Sequence, residues 1–252
     1  MRCKRRRGCA VASEVIYWAY KFVGENDMQV IVFDLGGTLM EYKGMPLSWV
    51  DYYEPAFVLL NRKLNYPVTD GAIRTSVEML KSFNPRVNYR EVEYKAEDIF
   101  SKVLSGWGIS GDISFCVDEF WSGLKLKAEI YPDAVDTIRF LRGKGYVVAA
   151  LTDLPNGMPD RVFTKDIKSL IEHFDCYMSS ETVGYRKPNP AGLVKVARKY
   201  SCEVEDVIFI GDEEKDRKTA ENVGCRFIKI SRNKTENYDI ADLSELTKML
   251  KL

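Results

Sequence analysis

The sequence predicts an α/β protein: a doubly wound core around a parallel sheet, interrupted after its first strand by a block of helices. Three observations predict it. Short runs rich in Val and Ile and bounded by polar residues recur at 28–33, 146–151 and 206–211, the signature of buried strands. From residue 130 onward such runs alternate with segments of i, i+3/i+4 apolar spacing, and that alternation implies right-handed crossovers and a sheet covered on both faces. Residues from about 44 to 128 carry helical spacing throughout and no strand pattern.

The elements follow in order. "MQVIVF" is the first strand. "LSWVDYYEPAFVLLNRKLN", "DGAIRTSVEMLKSF", "REVEYKAEDIFSKVLSGW" and "SFCVDEFWSGLKLKA" read as about four helices inserted as a unit. "AVDTIRFLRGKG" is a helix closed by a glycine turn, and "YVVAAL" the next strand. "RVFTKDIKSLIEHF" reads as one helix, "CYMS" as a short strand and "PAGLVKVARKY" as a helix. "DVIFIG", "EKDRKTAENVG", "RFIKI" and "LSELTKML" complete a strand–helix–strand–helix ending. The domain reading is therefore a core of 28–43 and 129–252 with a helical domain over 44–128. Residues 1–27 form a further extension, with Lys4–Arg7 followed by Val11, Val15, Ile16, Ala19 and Phe22 at helical spacing.

That extension is not expected to be a signal peptide, because Glu14 and Lys21 interrupt its apolar segment and no clear small-residue cleavage site follows. It reads as an extra helix packed on the domain or on a partner chain, with a basic membrane-surface helix as the alternative; Met28 is an alternative natural start. No stretch is long and apolar enough for stable membrane insertion. Lys+Arg and Asp+Glu number 37 each in the 252 residues, so no overall field draws the chain to nucleic acid. The six cysteines contain no C-x-x-C pair and read as reduced cytoplasmic thiols. His173 is the single histidine, which excludes a multi-histidine zinc site, and no catalytic motif surrounds it; it reads as structural. Chemistry here falls to carboxylates, lysine, hydroxyls and backbone. A monomer or homodimer is expected.

Polar residues stand directly after three of the buried runs: Asp34 after "VIVF", Thr152 after "VVAAL" and Asp212 after "VIFIG". Ligand sites in open α/β sheets form beyond the carboxyl ends of the strands, so these residues should converge in one crevice. A single aspartate after a strand is usually a turn or a helix cap. Three such residues, with a lysine in "GYRKPNP", point to a site.

These residues resemble the four motifs, in order, of the haloacid dehalogenase-like hydrolases: "DLGGT", Thr152 in "VVAALTD", Lys187 in "SSETVGYRKPNP", and "IGDEEKD" with Asp212 and Asp216. The resemblance covers roughly 28–252 and leaves out the first 27 residues. It implies a Rossmann-like core with a small helical cap, and a Mg²⁺-dependent phosphatase acting on a small phosphorylated metabolite. Asp34 would be the nucleophile forming an aspartyl-phosphate, Thr152 a phosphate-binding hydroxyl, and Lys187 a bridging charge. Asp34, the carbonyl of Gly36, Asp212 and Asp216 would hold the metal, with Gly37 and Asp153 on the substrate side. Such a site meets the physical demand of attack on an already anionic phosphorus, which requires charge neutralisation.

Gly36 departs from the family pattern, which usually has a second aspartate there to protonate the leaving group. Four readings stay open. The leaving group needs little protonation, or Asp153, Glu41, Tyr52 or Tyr53 replaces the acid. The chain resembles the phosphonate-cleaving branch, with Lys43, Lys63 or Lys81 as Schiff-base lysine. It is a metal-free dehalogenase, against which the acidic fourth motif argues. Or it is a weakly catalytic binder of a phosphorylated ligand or a protein. The aromatics Trp49, Tyr52, Tyr53, Phe57, Phe83, Trp107, Phe120 and Trp121 serve either a stacking pocket or a helical core, and substrate contacts are expected in "TLMEYKGMPLSW".

Overall fold

A computed structural model describes residues 29–65, 68–109, 111–234 and 237–252. The expectations for residues 1–27 and Met28 lie outside the described residues. Among the described residues no helix is long and apolar enough to cross a membrane.

Five parallel strands form the central sheet in the order β5-β4-β1-β6-β7: β1 Val30–Phe33, β4 Val147–Thr152, β5 Cys176–Ser179, β6 Val207–Gly211 and β7 Arg226–Lys229. β1 is central, with Val30 in register with Val147 on one side and Val207 on the other. Side chains along it alternate between two apolar layers. Ile31 and Phe33 face one side with Val148, Ala150, Ile208 and Ile210, whereas Val30 and Val32 face the other with Ala149, Leu151, Val207 and Phe209. Both layers are covered, which is why the strands read as unbroken apolar runs rather than as an alternation with polar residues.

The first layer is closed by α5 (Ala134–Gly143), α6 (Asp160–Asp166), α7 (Lys168–Ile171) and α11 (Leu243–Met249); the second by α9 (Ala191–Tyr200) and α10 (Glu214–Val223). Between β1 and α5 the chain forms α1 (Tyr53–Leu64), α2 (Asp70–Ser82), α3 (Ala96–Val103) and α4 (Ile113–Gly123). Their core is a knot of aromatic rings, with Phe57, Phe100 and Phe120 at centroid separations of 4.7–6.4 Å. Two of these helices have side-chain caps: Thr69 accepts from the Ala72 N–H and Asp112 from the Ser114 N–H.

Four details differ from the sequence reading. The predicted helix over "REVEYKAEDIFSKVLSGW" begins only at Ala96, and Val92 before it bridges Tyr185 instead. An antiparallel ribbon, β2 (Met40–Tyr42) on β3 (Ala128–Ile130), joins the core to the helical block. Strands of three residues are too short to show a period, and this pair exists only because the chain returns after the insertion. The predicted helix over "RVFTKDIKSLIEHF" breaks at buried Ile167, whose φ of −115° and ψ of 23° lie outside the helical range. A one-turn helix, α8 (Ser180–Val183), follows β5 directly and is held by a reciprocal Ser179/Thr182 capping box.

Candidate active site

Asp34, Thr152 and Asp212 sit at the carboxyl ends of β1, β4 and β6 and line one cavity of about 900 Å³ between the sheet and the helical block. The Asp34 N–H continues the ladder onto the Ile210 carbonyl at 2.8 Å, which fixes its backbone one residue past the strand. Lys187 arrives from the loop between α8 and α9. Its Nζ lies 2.6 Å from Asp34 Oδ1 and 2.5 Å from Asp216 Oδ1, with only 2% of the side chain exposed.

Asp216 does not line the cavity. It is fully buried in the first turn of α10, where one oxygen meets Lys187 and the other accepts the Glu213 N–H at 3.0 Å. Asp34, Asp212 and Asp216 each offer an oxygen within 4.8 Å of the others. Burial, then the charges of Asp34, Asp216 and Glu213, push the Asp212 carboxyl up to about 8. Burial likewise raises Asp34 despite Lys187. Burial alone would lower Lys187, but Asp216 and Asp34 outweigh it and hold the ammonium firmly charged. Three carboxylates against one adjacent ammonium leave excess negative charge in a site made of oxygen donors, a set suited to a hard divalent cation such as Mg²⁺.

The two glycines differ. Gly37 has φ +74°, and a Cβ there would fall 2.1 Å from Asp212 Oδ2, so only glycine leaves room for that carboxylate. Its N–H donates to the Met40 carbonyl at 2.8 Å. Gly37 lines the cavity, with its N–H engaged by the turn. Gly36 is exposed to the cavity, and a Cβ built on it meets nothing within 4 Å.

The residues considered as replacement acids sort clearly. Asp153 accepts the Lys187 N–H at 3.0 Å on one oxygen and faces Lys215 Nζ at 3.6 Å on the other. Burial would raise it, but Arg186, Lys215 and Lys187 hold it below the usual carboxylate range. Tyr53 lines the cavity, its hydroxyl accepting from Asn84 and Asn156 at 3.2 and 3.4 Å. Burial raises this phenol further from acidity. Glu41 lines the cavity and accepts from Tyr131 at 2.9 Å; Tyr52 does not line it. Lys43, Lys63 and Lys81 all lie off the cavity, paired with Glu129, Glu119 and Glu78, which removes the geometric basis for a Schiff-base lysine among them.

The aromatic residues divide between two roles. Trp49, Tyr53 and Trp121 line the cavity, whereas Phe57, Trp107 and Phe120 pack inside the helical block. The connection after β1 supplies Met40, Glu41, Tyr42, Met45, Pro46, Leu47 and Trp49 to the wall. Cationic lining residues also emerge that the sequence reading did not single out: Arg86, Arg90, Arg186, Lys215 and Arg232. Arg186 and Lys215 lie inside the quoted motifs and Arg232 follows the last strand of the sheet, so each carries some local signal. Arg86 and Arg90, between α2 and α3, carry no local signal.

A family model for haloacid dehalogenase-like hydrolases matches residues 28–224. The chain is 36% identical to a phosphoglycolate phosphatase of Cereibacter sphaeroides over 117 residues, 46% of this chain and 50% of that one. It is 31% identical to a glyceraldehyde 3-phosphate phosphatase of Methanopyrus kandleri over 111 residues, 43% of this chain and 46% of that one. The chain thus spans about half the length of these curated relatives. Among solved structures, the HAD phosphatase from Thermococcus onnurineus superposes with a TM-score of 0.58 at 21% identity, covering 88% of this chain and 98% of that one. The 2-haloacid dehalogenase from Pseudomonas syringae gives 0.59 at 19% identity, covering 89% and 98%. Those two likenesses concern the fold alone. The chain belongs to the haloacid dehalogenase-like hydrolase family.

Proposed function

We propose that this family member is a Mg²⁺-dependent phosphatase of small phosphorylated metabolites, with the helical block over 44–128 as a cap on a core of 28–43 and 129–252. One observation carries the reading: the Lys187 ammonium bridges Asp34 and Asp216 while Asp212 offers an oxygen within 4.8 Å of both carboxylates. The names of the relatives, both phosphatases of small phosphate esters, support the same class. The acidic pair Asp212 and Asp216 favours this over a metal-free dehalogenase.

Asp34, Asp212, the Gly36 carbonyl and, behind them, Asp216 would hold Mg²⁺, which when bound supplies charge neutralisation. The chain's own groups do the rest. Lys187 orients one Asp34 oxygen and places a positive charge beside the phosphoryl group. The Thr152 hydroxyl donates to a phosphoryl oxygen. An Asp34 oxygen attacks phosphorus and the bond to the leaving oxygen breaks, with that oxygen keeping the electron pair. Water then cleaves the aspartyl-phosphate, releasing phosphate and restoring the carboxylate.

At Gly36 no side chain can deliver a proton, and Asp153 is fixed as an anion by its three cationic neighbours. Asp153 is a positioning residue for the Lys187 peptide in this reading. Glu41, which also lines the cavity, is engaged by the Tyr131 hydroxyl at 2.9 Å; in this reading the leaving group departs largely unprotonated, and esters of acidic alcohols turn over fastest. The test is hydrolysis of p-nitrophenyl phosphate: Mg²⁺-dependent turnover that disappears in Asp34→Asn is expected. Turnover that persists in chelator overturns the metal assignment. A folded protein with no turnover on any phosphate ester favours the ligand-binding alternative.

A further inference from the structure

Residues 84–95, the connection between α2 and α3, pack on the loop that carries Lys187. Val92 forms an antiparallel bridge with Tyr185, flanked by the Arg186 N–H on the Glu91 carbonyl at 2.6 Å and the Glu93 N–H on the Gly184 carbonyl at 3.0 Å. Glu93 then enters the core with only 6% of its side chain exposed. One of its oxygens pairs with Arg186 and accepts from Ser180 Oγ at 2.6 Å; the other pairs with Arg90 at 3.0 Å. Arg186 also donates to the Leu154 carbonyl at 2.8 Å, and the Leu154 N–H donates to Ser180 Oγ at 3.0 Å.

One carboxylate from the helical block thus closes a circuit through the end of β4 and the loop before α9. Lys187 stands on that loop, where no sheet ladder fixes it, one residue beyond Arg186. A buried charge left without its partner is strongly unfavourable, so Arg186 and Glu93 stay together or separate in one step. The geometry points to Glu93 as a positioning residue: it holds the Arg186–Lys187 loop so that Lys187 reaches Asp34 and Asp216 while the helical block is seated. Lifting the block withdraws that support and leaves the loop on its core anchors, Asp153 on the Lys187 N–H and the Leu154 carbonyl on Arg186, so the charge clamp is held most firmly in the closed cavity.

The kinetic arm of this inference rests on the phosphatase reading; the structural arm does not. Hydrogen exchange and steady-state kinetics on full-length Glu93→Gln and Ser180→Ala test both. Amides of 184–187 and 189 should exchange about tenfold faster or more, with those of β1, β4 and β6 unchanged. On p-nitrophenyl phosphate with Mg²⁺, kcat should fall about tenfold while KM moves less than about threefold. Unchanged exchange in a folded variant overturns the inference, as does a loss confined to KM. Should Glu93→Gln fail to fold, Ser180→Ala removes a single hydroxyl and reads the same circuit. Wild-type protein without turnover on any phosphate ester sinks the phosphatase reading, and exchange alone then decides whether Glu93 positions the loop.

Discussion

The floor and the roof of the cavity are built on different principles. The floor is strand ends: Asp34, Thr152 and Asp212 each follow a buried parallel strand, and the sheet register alone brings them together. The roof is made by connections of the helical block, where Arg86 and Arg90 face the cavity through tertiary docking. The floor is densely ionic and buried. The roof is looser, with Arg86 partly exposed in its pair with Glu213. Residues placed by a repetitive backbone can be assigned from sequence, whereas residues placed by docking cannot.

The contrast sets the order of expected effects. Asp34→Asn should lower turnover of an aryl phosphate by about 10⁴-fold or more, since it removes the nucleophile itself. A smaller loss would mean that the floor does not perform the chemistry. Gly36→Asp should raise turnover of poorly leaving alkyl phosphates by about 10²–10⁴-fold while changing aryl phosphates little. The side chain has room, because a Cβ at Gly36 meets nothing within 4 Å. Equal gains on both classes would contradict the account of the missing acid. Lys187→Met should destabilise the fold by about 3–5 kcal/mol, read by denaturant unfolding, because two buried carboxylates lose their shared partner.

A titration sharpens the same distinction. Asp212 is pushed up to about 8, and Asp34 is also raised above its ordinary value. A carboxyl with a raised folded-state pKa contributes stability that is full below the unfolded value near 4 and is lost as pH climbs through the folded one. Metal-free protein should therefore weaken between about pH 4 and pH 8. Mg²⁺ at a fixed concentration of about 100 times its pH 8 Kd should return about 2.7 kcal/mol at pH 8 and much less at pH 5, measured by thermal melts. A Mg²⁺ effect independent of pH would mean the cation binds elsewhere. The roof should respond least: Arg86→Ala breaks a half-exposed pair worth about 0–1 kcal/mol. A few-fold rise in KM with kcat unchanged is expected there.

The parallel core was legible because unbroken apolar runs of four to six residues have few alternatives, and the strand-end rule then located Asp34, Thr152 and Asp212. The β2–β3 ribbon was not, since three-residue strands paired across the insertion carry no local period. The role of Gly37 was not legible either: the fold uses its amide to close the turn onto Met40 and its missing Cβ to admit Asp212. Glu93 looked like one more charge in a helical stretch; its burial against Arg186 depends on where a distant loop lands.

The central claim is that Asp34 is a nucleophile whose charge is managed by Lys187 and a divalent cation. Crystals grown with Mg²⁺ and beryllofluoride test it most directly. The account predicts a beryllofluoride adduct on an Asp34 oxygen, with Lys187 in hydrogen-bond contact. Folded, Mg²⁺-loaded protein that carries no adduct on Asp34, or carries it on another residue, would contradict it.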